Sequence, residues 1–459
     1  PLYGSDYTNR VVMSLMYQGL FAVDSKNNTT PILCSQYQVT PDNRTWTIYL
    51  EPNATFSDGT RVTVQDVVAS YEQARQNVYY KGRFTHIARV ELSSDGGVDF
   101  FLDTPYQNLA LLLDIPIVKA SEVTVDNPLG TGPYSLEDGI GGKHLQRVVG
   151  WWCSSDDLVA KDSSIALVEA ESPSQIRDEF EFSGLSVVCT NPQTDSYADY
   201  RCDFELWEVD SGFMMYIGCN VTYSKFFDDG TLRTFLTYGI DRQTLVDDNY
   251  GGLALPTTLP ISPMSPYYSK SLATNYDYDE MRFIDAASKF RVPTNDKGVP
   301  RTLQLLVNSD DSARLRCARN IAATLTELGL ACETVESPTS VYEARLQAAN
   351  YDIYLGITKL PTTADLSEFY RQWGEMSWGG LANETIYNMV NQSLADRGNY
   401  YNLHKLVADD GRIIPVMAGY YAIYAKRGVL SDLNPARDNV FYYTLGKTME
   451  SSKVATQFS

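Results

Sequence analysis

Reactive side chains are few in this chain, and their spacing matters more than their number. There are three histidines, His86, His144 and His404, and seven cysteines, Cys34, Cys153, Cys189, Cys202, Cys219, Cys317 and Cys332. No CxxC pair occurs, so the four clustered ligands of a structural zinc site are not expected. The odd cysteine number leaves at least one thiol unpaired. Cys189 and Cys202 close a short loop between two strand-like runs, a spacing open to a disulfide, whereas Cys219 and Cys317 read as small core residues. Gly130-Thr131-Gly132 imitates part of a dinucleotide fingerprint, but Pro133 and an alternating stretch follow it instead of a helix that could hold pyrophosphate. Gly139–Lys143 fails as a phosphate loop because His144 follows where Ser or Thr is needed. None of the histidines lies in a nucleophile-elbow context. Acid pairs are uninformative among 57 Asp and Glu residues. No catalytic residue, metal or cofactor is assigned on these grounds. The residues suggest binding instead: 32 Tyr, 17 Phe and 6 Trp supply apolar bodies with polar handles, suited to holding polar chains by stacking and hydrogen bonds. Trp151, Trp152, Trp373 and Trp378 are candidates of this type.

The net charge of −20 repels phosphate backbones and anionic lipid surfaces, which argues against nucleic acid and against direct membrane adsorption. No run approaches the ~18 apolar residues of a membrane helix. The sequence moves at once from Pro1 into folded pattern, so a targeting segment is expected to have been removed. At 459 residues, a prior of ~150 residues per domain gives about three units.

These residues need elements to position them. Thr45–Leu50 alternates bulky and polar side chains, the mark of a half-buried strand. Ser57-Asp58-Gly59 makes a turn, and Thr63 caps a helix whose apolar face is Val67, Val68, Tyr71 and Ala74. Asp66 is read as a favourable charge at that helix N-terminus. Residues 76–125 read as further sheet, including Ala88–Leu92 and Val98–Leu102. Ser163–Val188 reads as strand, short helix, strand. Phe213–Cys219 is a strand buried on both faces. Asp228–Gly239 and Asp241–Tyr250 read as helices, the second capped by Asp241 and stopped by Gly251-Gly252. Pro256–Pro266 reads as an extended surface loop or linker.

The clearest fold signal is Leu303–Ile357. A strand at Leu303–Val307 leads to a helix capped by Asp311 with an apolar face through Leu315, Ala318, Ile321, Leu325 and Leu328. A strand at Ala331–Val335, a helix at Ser340–Ala349 and a strand at Tyr351–Ile357 complete a β-α-β-α-β unit, so a parallel sheet with right-handed crossovers is expected. Ligands of such sheets sit beyond the carboxyl ends of the strands. That rule selects Gly356-Ile357-Thr358-Lys359 and the loop Leu360–Phe369. Trp378 follows that loop between glycine-permissive turns. Thr385–Leu394 is a further helix, and Ile413–Val416 leads into the aromatic run Tyr420–Tyr424.

Four segments, in order, resemble the peptide/nickel class of extracytoplasmic solute-binding proteins, the ligand-capturing subunits of ABC importers (solute-binding protein family 5, similar to dipeptide- and oligopeptide-binding proteins). They are Tyr17–Ser70, with Tyr17-Gln18-Gly19-Leu20 and Phe56-Ser57-Asp58-Gly59-Thr60; Pro128–Leu136; Tyr216–Gly252, with a strand ending in Asn220, then Phe227–Arg233 and Ile240-Asp241-Arg242; and Gly411–Tyr424. The resemblance implies an α/β, two-lobe periplasmic-binding-protein-like fold (type II, cluster C) with an extra subdomain and a hinge. Lobe I would combine 1–34, 126–225 and 421–459, the extra subdomain 35–125, and lobe II 226–420. Crossovers near Thr222 and Tyr421 would form the hinge.

The same resemblance implies ligand contacts at Gln18, where peptide-binding relatives often carry Glu, and at Gly19, Asn220 and Tyr421. It also exposes a departure. Relatives that bind free peptides place an Asp just after the strand equivalent to Tyr351–Ile357. This chain has Lys359-Leu360 there, Ile357 in place of a common Trp, and an acid only at Asp365. Lys359 is therefore expected either in solvent or facing the cleft, paired with Asp365 or a ligand carboxylate. The function implied is non-enzymatic capture of an oligopeptide or peptide-like solute for delivery to permease subunits. The protein is expected to be monomeric, extracytoplasmic, and held to the membrane only through an N-terminal lipid anchor. Alternatives are a ligand-sensing receptor or a binder of another small solute, sugar or opine-like, on the same fold.

Overall fold

The computed structural model describes residues 1–3, 7–139, 142–153, 163–170, 172–182, 184–193, 200–430, 433–438 and 440. The chain divides into two units: Pro1–Val209 with Tyr421–Ser459, and Asp210–Tyr420. Phe204–Cys219 is one long strand whose residues from Asp210 onward belong to the second unit.

In the first unit, Cys34–Val39, Thr45–Leu50, Val98–Leu102 and Ile87–Leu92 form a four-stranded antiparallel sheet in that spatial order. The alternation in Thr45–Leu50 is explained by Trp46 and Ile48, which are buried in the sheet's core face. The helix Val64–Ala74 packs on that face through Tyr71, whose ring meets Phe100 edge-on at 5.0 Å. Its start is a full capping box. Thr63 Oγ1 accepts from the Asp66 N–H, and the Asp66 carboxylate accepts from the Thr63 N–H at 2.8 Å. Asp66 thus serves the helix N-terminus, as its position implied.

The expected sheet over 76–125 is only partly present. Leu109–Leu112 forms a 3₁₀ turn, and the buried run that follows is fixed by Ser70, whose hydroxyl exchanges bonds with both the N–H and the C=O of Val118 at 3.0 and 3.2 Å. A side chain there satisfies the backbone in place of a neighbouring strand. Gly130 and Gly132 are in place for close approach, not phosphate binding. A Cβ on either would press into the backbone carbonyl of Met16, and one on Gly132 also into that of Leu15. A second, three-stranded antiparallel sheet joins Tyr134–Gly139, Gly142–Arg147 and Ser164–Ala166. Val187–Thr190 pairs with Ala422–Ala425. Cys189 and Cys202 are both free thiols, so the loop they bound is not closed by a disulfide.

The second unit contains the expected parallel unit. Leu303–Asn308 pairs in parallel with Cys332–Ser337 on one side and with Ile353–Lys359 on the other. Phe213–Cys219 adds antiparallel to Ile353–Lys359. The helix Ser312–Glu327, capped by Asp311, buries Cys317, Ala318, Ile321 and Leu325 against Leu303, Leu305, Val307, Ile353 and Leu355. Two expectations shift. The helix proposed over Asp228–Gly239 is broken into Thr231–Phe235 and a 3₁₀ turn Leu236–Gly239. Gly239 lies so close to Phe283 and Leu325 that a Cβ would come within 2.8 Å of both. The tight contact, not helix propensity, shapes the chain there. The proline-rich stretch after Pro256 is not a surface linker either: Leu259 and Ile261 are buried in a small cluster with Leu272, Ala273 and Tyr276.

Candidate functional site

The sequence-selected residues lie in both units, and each unit is described by itself. In the first unit, Gln18 and Gly19 follow the helix Tyr7–Met13 and its turn. Gln18 is buried. Its side-chain carbonyl accepts from the Trp152 indole N–H at 3.1 Å, and its backbone carbonyl accepts from Ile117 at 2.9 Å. Gly19 runs so close to Asp114 that a Cβ would sit 2.7 Å from that residue's backbone. Only glycine lets these two segments touch. Trp151 and Trp152 both donate to Thr131 O, at 2.7 and 2.9 Å. Of the tryptophans singled out by composition, Trp152 is thereby brought to Gln18 from 134 positions away.

A recess of about 50 Å³ opens here, lined among others by Arg10, Gln18, Gly19, Tyr80, Asp114 and Asp438. That is room for a few waters or one side-chain tip, well below the several hundred Å³ of a full ligand site. Its wall is a buried charge network. Arg83 bonds Asp114 and also Asp438, the latter at 2.6 Å. Arg10 lies 3.5 Å from Asp438, donates to the Tyr421 hydroxyl at 2.9 Å, and stacks over Tyr79 with its guanidinium 3.9 Å from the ring centre. Tyr79 donates to Asp438. Burial raises the Asp114 pKa, and the Arg83 charge opposes that rise. The Arg437 charge also lowers the Asp114 pKa, so the two carboxylates are faced by more than two cations.

Tyr421, expected at the hinge and at the ligand, is buried in this network, stacked on Tyr7 with ring centres 3.7 Å apart. None of Arg10, Arg83, Asp114 or Asp438 was legible as a functional residue, because they are distant in sequence. The one local sign is Asp114 itself, a lone acid closing the apolar run Leu109–Leu113.

In the second unit, Asn220 is buried, and its amide donates to Ala349 O and Tyr351 O at 2.9 and 2.8 Å while its carbonyl accepts from Tyr223. Its hydrogen bonds hold a turn. Asp365 is also buried and accepts from the Ser367 N–H at 2.8 Å, which turns the chain into the helix Ser367–Tyr370. Ile353–Lys359 runs two residues further than expected, so Ile357, Thr358 and Lys359 are its terminal residues. Ile357 is 39% exposed, Lys359 is exposed, and Thr358 donates to the Met376 sulfur at 3.4 Å.

One face of these strands is a tyrosine layer. Tyr216 lies directly opposite Gly356, and Tyr354 directly opposite Gly218. Each ring covers the glycine across from it: a Cβ on Gly356 would meet the Tyr216 ring at 2.6 Å, and one on Gly218 would enter the Tyr354 ring. Phe369 meets Tyr216 edge-on at 5.1 Å, and Gly379 passes within 2.6 Å (measured from its would-be Cβ) of the Tyr351 hydroxyl. The segment from Leu360 to Gly380 therefore covers the tyrosine face. Trp378 in it is half-buried. Groups of three or more His, Cys, Asp or Glu able to hold a metal are absent among the described residues.

A profile for bacterial extracellular solute-binding proteins, family 5 Middle, matches residues 28–379. The glutathione-binding protein GsiB of Escherichia coli O6:K15:H31 is 25% identical over 299 residues, 60% of this chain and 56% of GsiB, so the match spans little more than half of that relative. Among solved structures, the ABC transporter substrate binding protein CtaP of Listeria monocytogenes superposes with a TM-score of 0.74 at 17% identity, covering 98% of this chain and 96% of CtaP. The oligopeptide-binding protein AppA of Bacillus subtilis, solved with a nonapeptide, gives 0.67 at 17% identity over 98% and 96%. The mixed α/β fold is thus the two-lobe, type II fold of periplasmic peptide-binding proteins. With the profile spanning most of its length, the chain belongs to the bacterial extracellular solute-binding proteins of family 5.

Proposed function

We propose that this protein is the non-enzymatic solute-binding subunit of an ABC importer, capturing an oligopeptide or peptide-like solute and delivering it to permease subunits. The family match carries this reading. The glutathione-binding and nonapeptide-bound relatives support a peptide-like solute. The residues support it in kind: the candidate positions supply amides, hydroxyls, an exposed lysine and aromatic rings, and none forms a nucleophile–base pair among the described residues. In this reading Gln18, Gly19, Ile357, Thr358, Lys359 and Trp378 contact solute. Asn220, Asp365 and Tyr421, all buried and hydrogen-bonded, position the backbone around them. Lobe I would take 1–34, 126–225 and 421–459 with 35–125 as its subdomain, and lobe II 226–420. Binding favours the closed state by its differential affinity for it.

The family is extracytoplasmic. We further propose an N-terminal lipid anchor and a monomeric state. No helix among the described residues is long and apolar enough to cross a membrane.

Native mass spectrometry of protein purified without denaturation tests the reading, followed by thermal shift against glutathione and peptides of two to nine residues. A solute at a hundred times its Kd stabilises by ~2.7 kcal/mol, a shift easily seen. Absence of co-purifying solute together with no shift from any peptide would refute the peptide class. Turnover of a bound peptide would refute non-enzymatic capture.

A further inference from the structure

Five non-glycine residues among those described have positive φ: Asn27, Asn43, Ala349, Ala364 and Trp373. Asparagine adopts this region readily, and Ala349 sits just past the end of the helix Thr339–Gln347, where a left-handed residue is common. The other two fall in one segment, the chain that follows the strand Ile353–Lys359. Trp373 has φ +63° and is 88% exposed. A bulky residue held there is an outlier that persists only when its surroundings enforce it.

The surroundings do enforce it. Arg371 N–H bonds Ser367 O, Gly374 N–H bonds Arg371 O, Met376 N–H bonds Glu368 O at 3.1 Å, and Glu375 N–H bonds the Glu368 carboxylate at 2.9 Å. Arg371 pairs with the same carboxylate at 2.6 Å. Gly374 is pressed so closely on the Glu368 carbonyl that no Cβ would fit. The turn is rigid on both sides of the indole, yet no ring contact to Trp373 occurs among the described residues. Burying an apolar ring this large is favourable, so a fixed turn that holds an indole in water leaves that gain to a partner that covers it.

Its location identifies the partner. The turn is tied through Met376 to Thr358 at the end of the strand, where Ile357 is also exposed. These residues lie at the carboxyl end of a parallel strand, the edge on which ligands of open α/β sheets sit. We propose that Trp373 is a specificity-determining residue, a preformed platform on which an aromatic or large apolar side chain of the bound peptide stacks. This rests on the solute-binding reading above and names the side-chain class within it.

The test uses the whole chain and two defined probes, Ala-Phe-Ala and Ala-Ala-Ala. Titration calorimetry should give tighter binding of Ala-Phe-Ala, a preference that Trp373→Ala reduces by about tenfold and Trp373→Phe largely restores. Trp373 is 88% exposed, so its substitution removes no buried packing, and acrylamide quenching provides a second readout. The part of the emission lost in Trp373→Phe should become protected on adding Ala-Phe-Ala to the wild type. If wild type binds both peptides but Trp373→Ala keeps the preference, or quenching is unchanged by peptide, the platform is refuted while the peptide-binding reading stands. If neither these tripeptides nor any peptide of the thermal-shift series binds wild type, both fall together.

Discussion

Around Gln18 the first unit is fastened by buried charge: Arg10, Arg83, Asp114 and Asp438 interlock, and Gly19 closes on Asp114. Around Thr358 the second unit is fastened by shape: Tyr216 and Tyr354 fold over Gly356 and Gly218, with their hydroxyls 3.3 Å apart. Charge networks are directional and intolerant of losing one member, because a remaining ion is left buried without its partner. Ring-on-glycine packing tolerates polarity changes nearby but not added volume. The first arrangement fixes a small recess. The second leaves Ile357 and Lys359 exposed at the end of its strand.

The largest expected effect comes from breaking the charged side. Arg83→Met leaves two buried carboxylates short of a cation and should cost about 3–5 kcal/mol in urea unfolding. Because the pairs are buried, that loss should change little between low and high salt. A loss below ~1 kcal/mol would contradict the picture of an interlocked network.

Breaking the shape side should cost somewhat less. Gly356→Ala, which drives a methyl into Tyr216, should destabilise by about 1–3 kcal/mol, while Tyr354→Phe, which keeps the ring, should cost under ~1.5 kcal/mol. Equal costs for the two would mean that the hydroxyl pair, not ring volume, holds the layer.

A pH effect sharpens the contrast. His404 is fully buried in the second unit, with neither ring nitrogen hydrogen-bonded among the described residues, and burial lowers its pKa to about 4. A folded pKa below the ordinary value of ~6.5 means that the unfolded chain takes up the proton first. Stability is therefore unaffected at pH 7 and falls as pH drops from about 6.5 toward 4. Between pH 7 and pH 5 the loss from this residue is about 2 kcal/mol. His404→Phe should remove that part of the acid sensitivity, and an unchanged pH profile would show that the imidazole is not held neutral.

The smallest effect is expected on the surface. Arg319 and Glu336 make a two-pronged pair at 2.8 and 2.9 Å, with their side chains 55% and 36% exposed. Solvent screens such a pair, so Arg319→Ala should leave the urea-unfolding midpoint nearly unchanged, and a clear drop would show that the pair is held more tightly than its exposure implies.

Much of the architecture was legible because it is written locally. The capping box at Thr63 and Asp66, the alternation of Thr45–Leu50 and the helix face from Ala318 to Leu325 each need only near neighbours in sequence. The β-α-β-α-β pattern likewise placed a strand at Tyr351–Ile357, and that strand runs on to Lys359. Asn220 and Tyr421 were selected from the same motifs, but sequence could not show their bonds: Asn220 to the carbonyls of Ala349 and Tyr351, and Tyr421 to the Arg10 guanidinium. The sequence by itself determined the periodicities, the caps and the absence of a catalytic motif, since these depend on residue types at short spacing. Only the tertiary structure decided that Trp152 reaches Gln18, that Asp438 closes on Arg10 and Arg83, and that glycines at 218 and 356 make room for tyrosines across the sheet. Those contacts join residues over a hundred positions apart, and no local pattern encodes which distant segment will fill a given space.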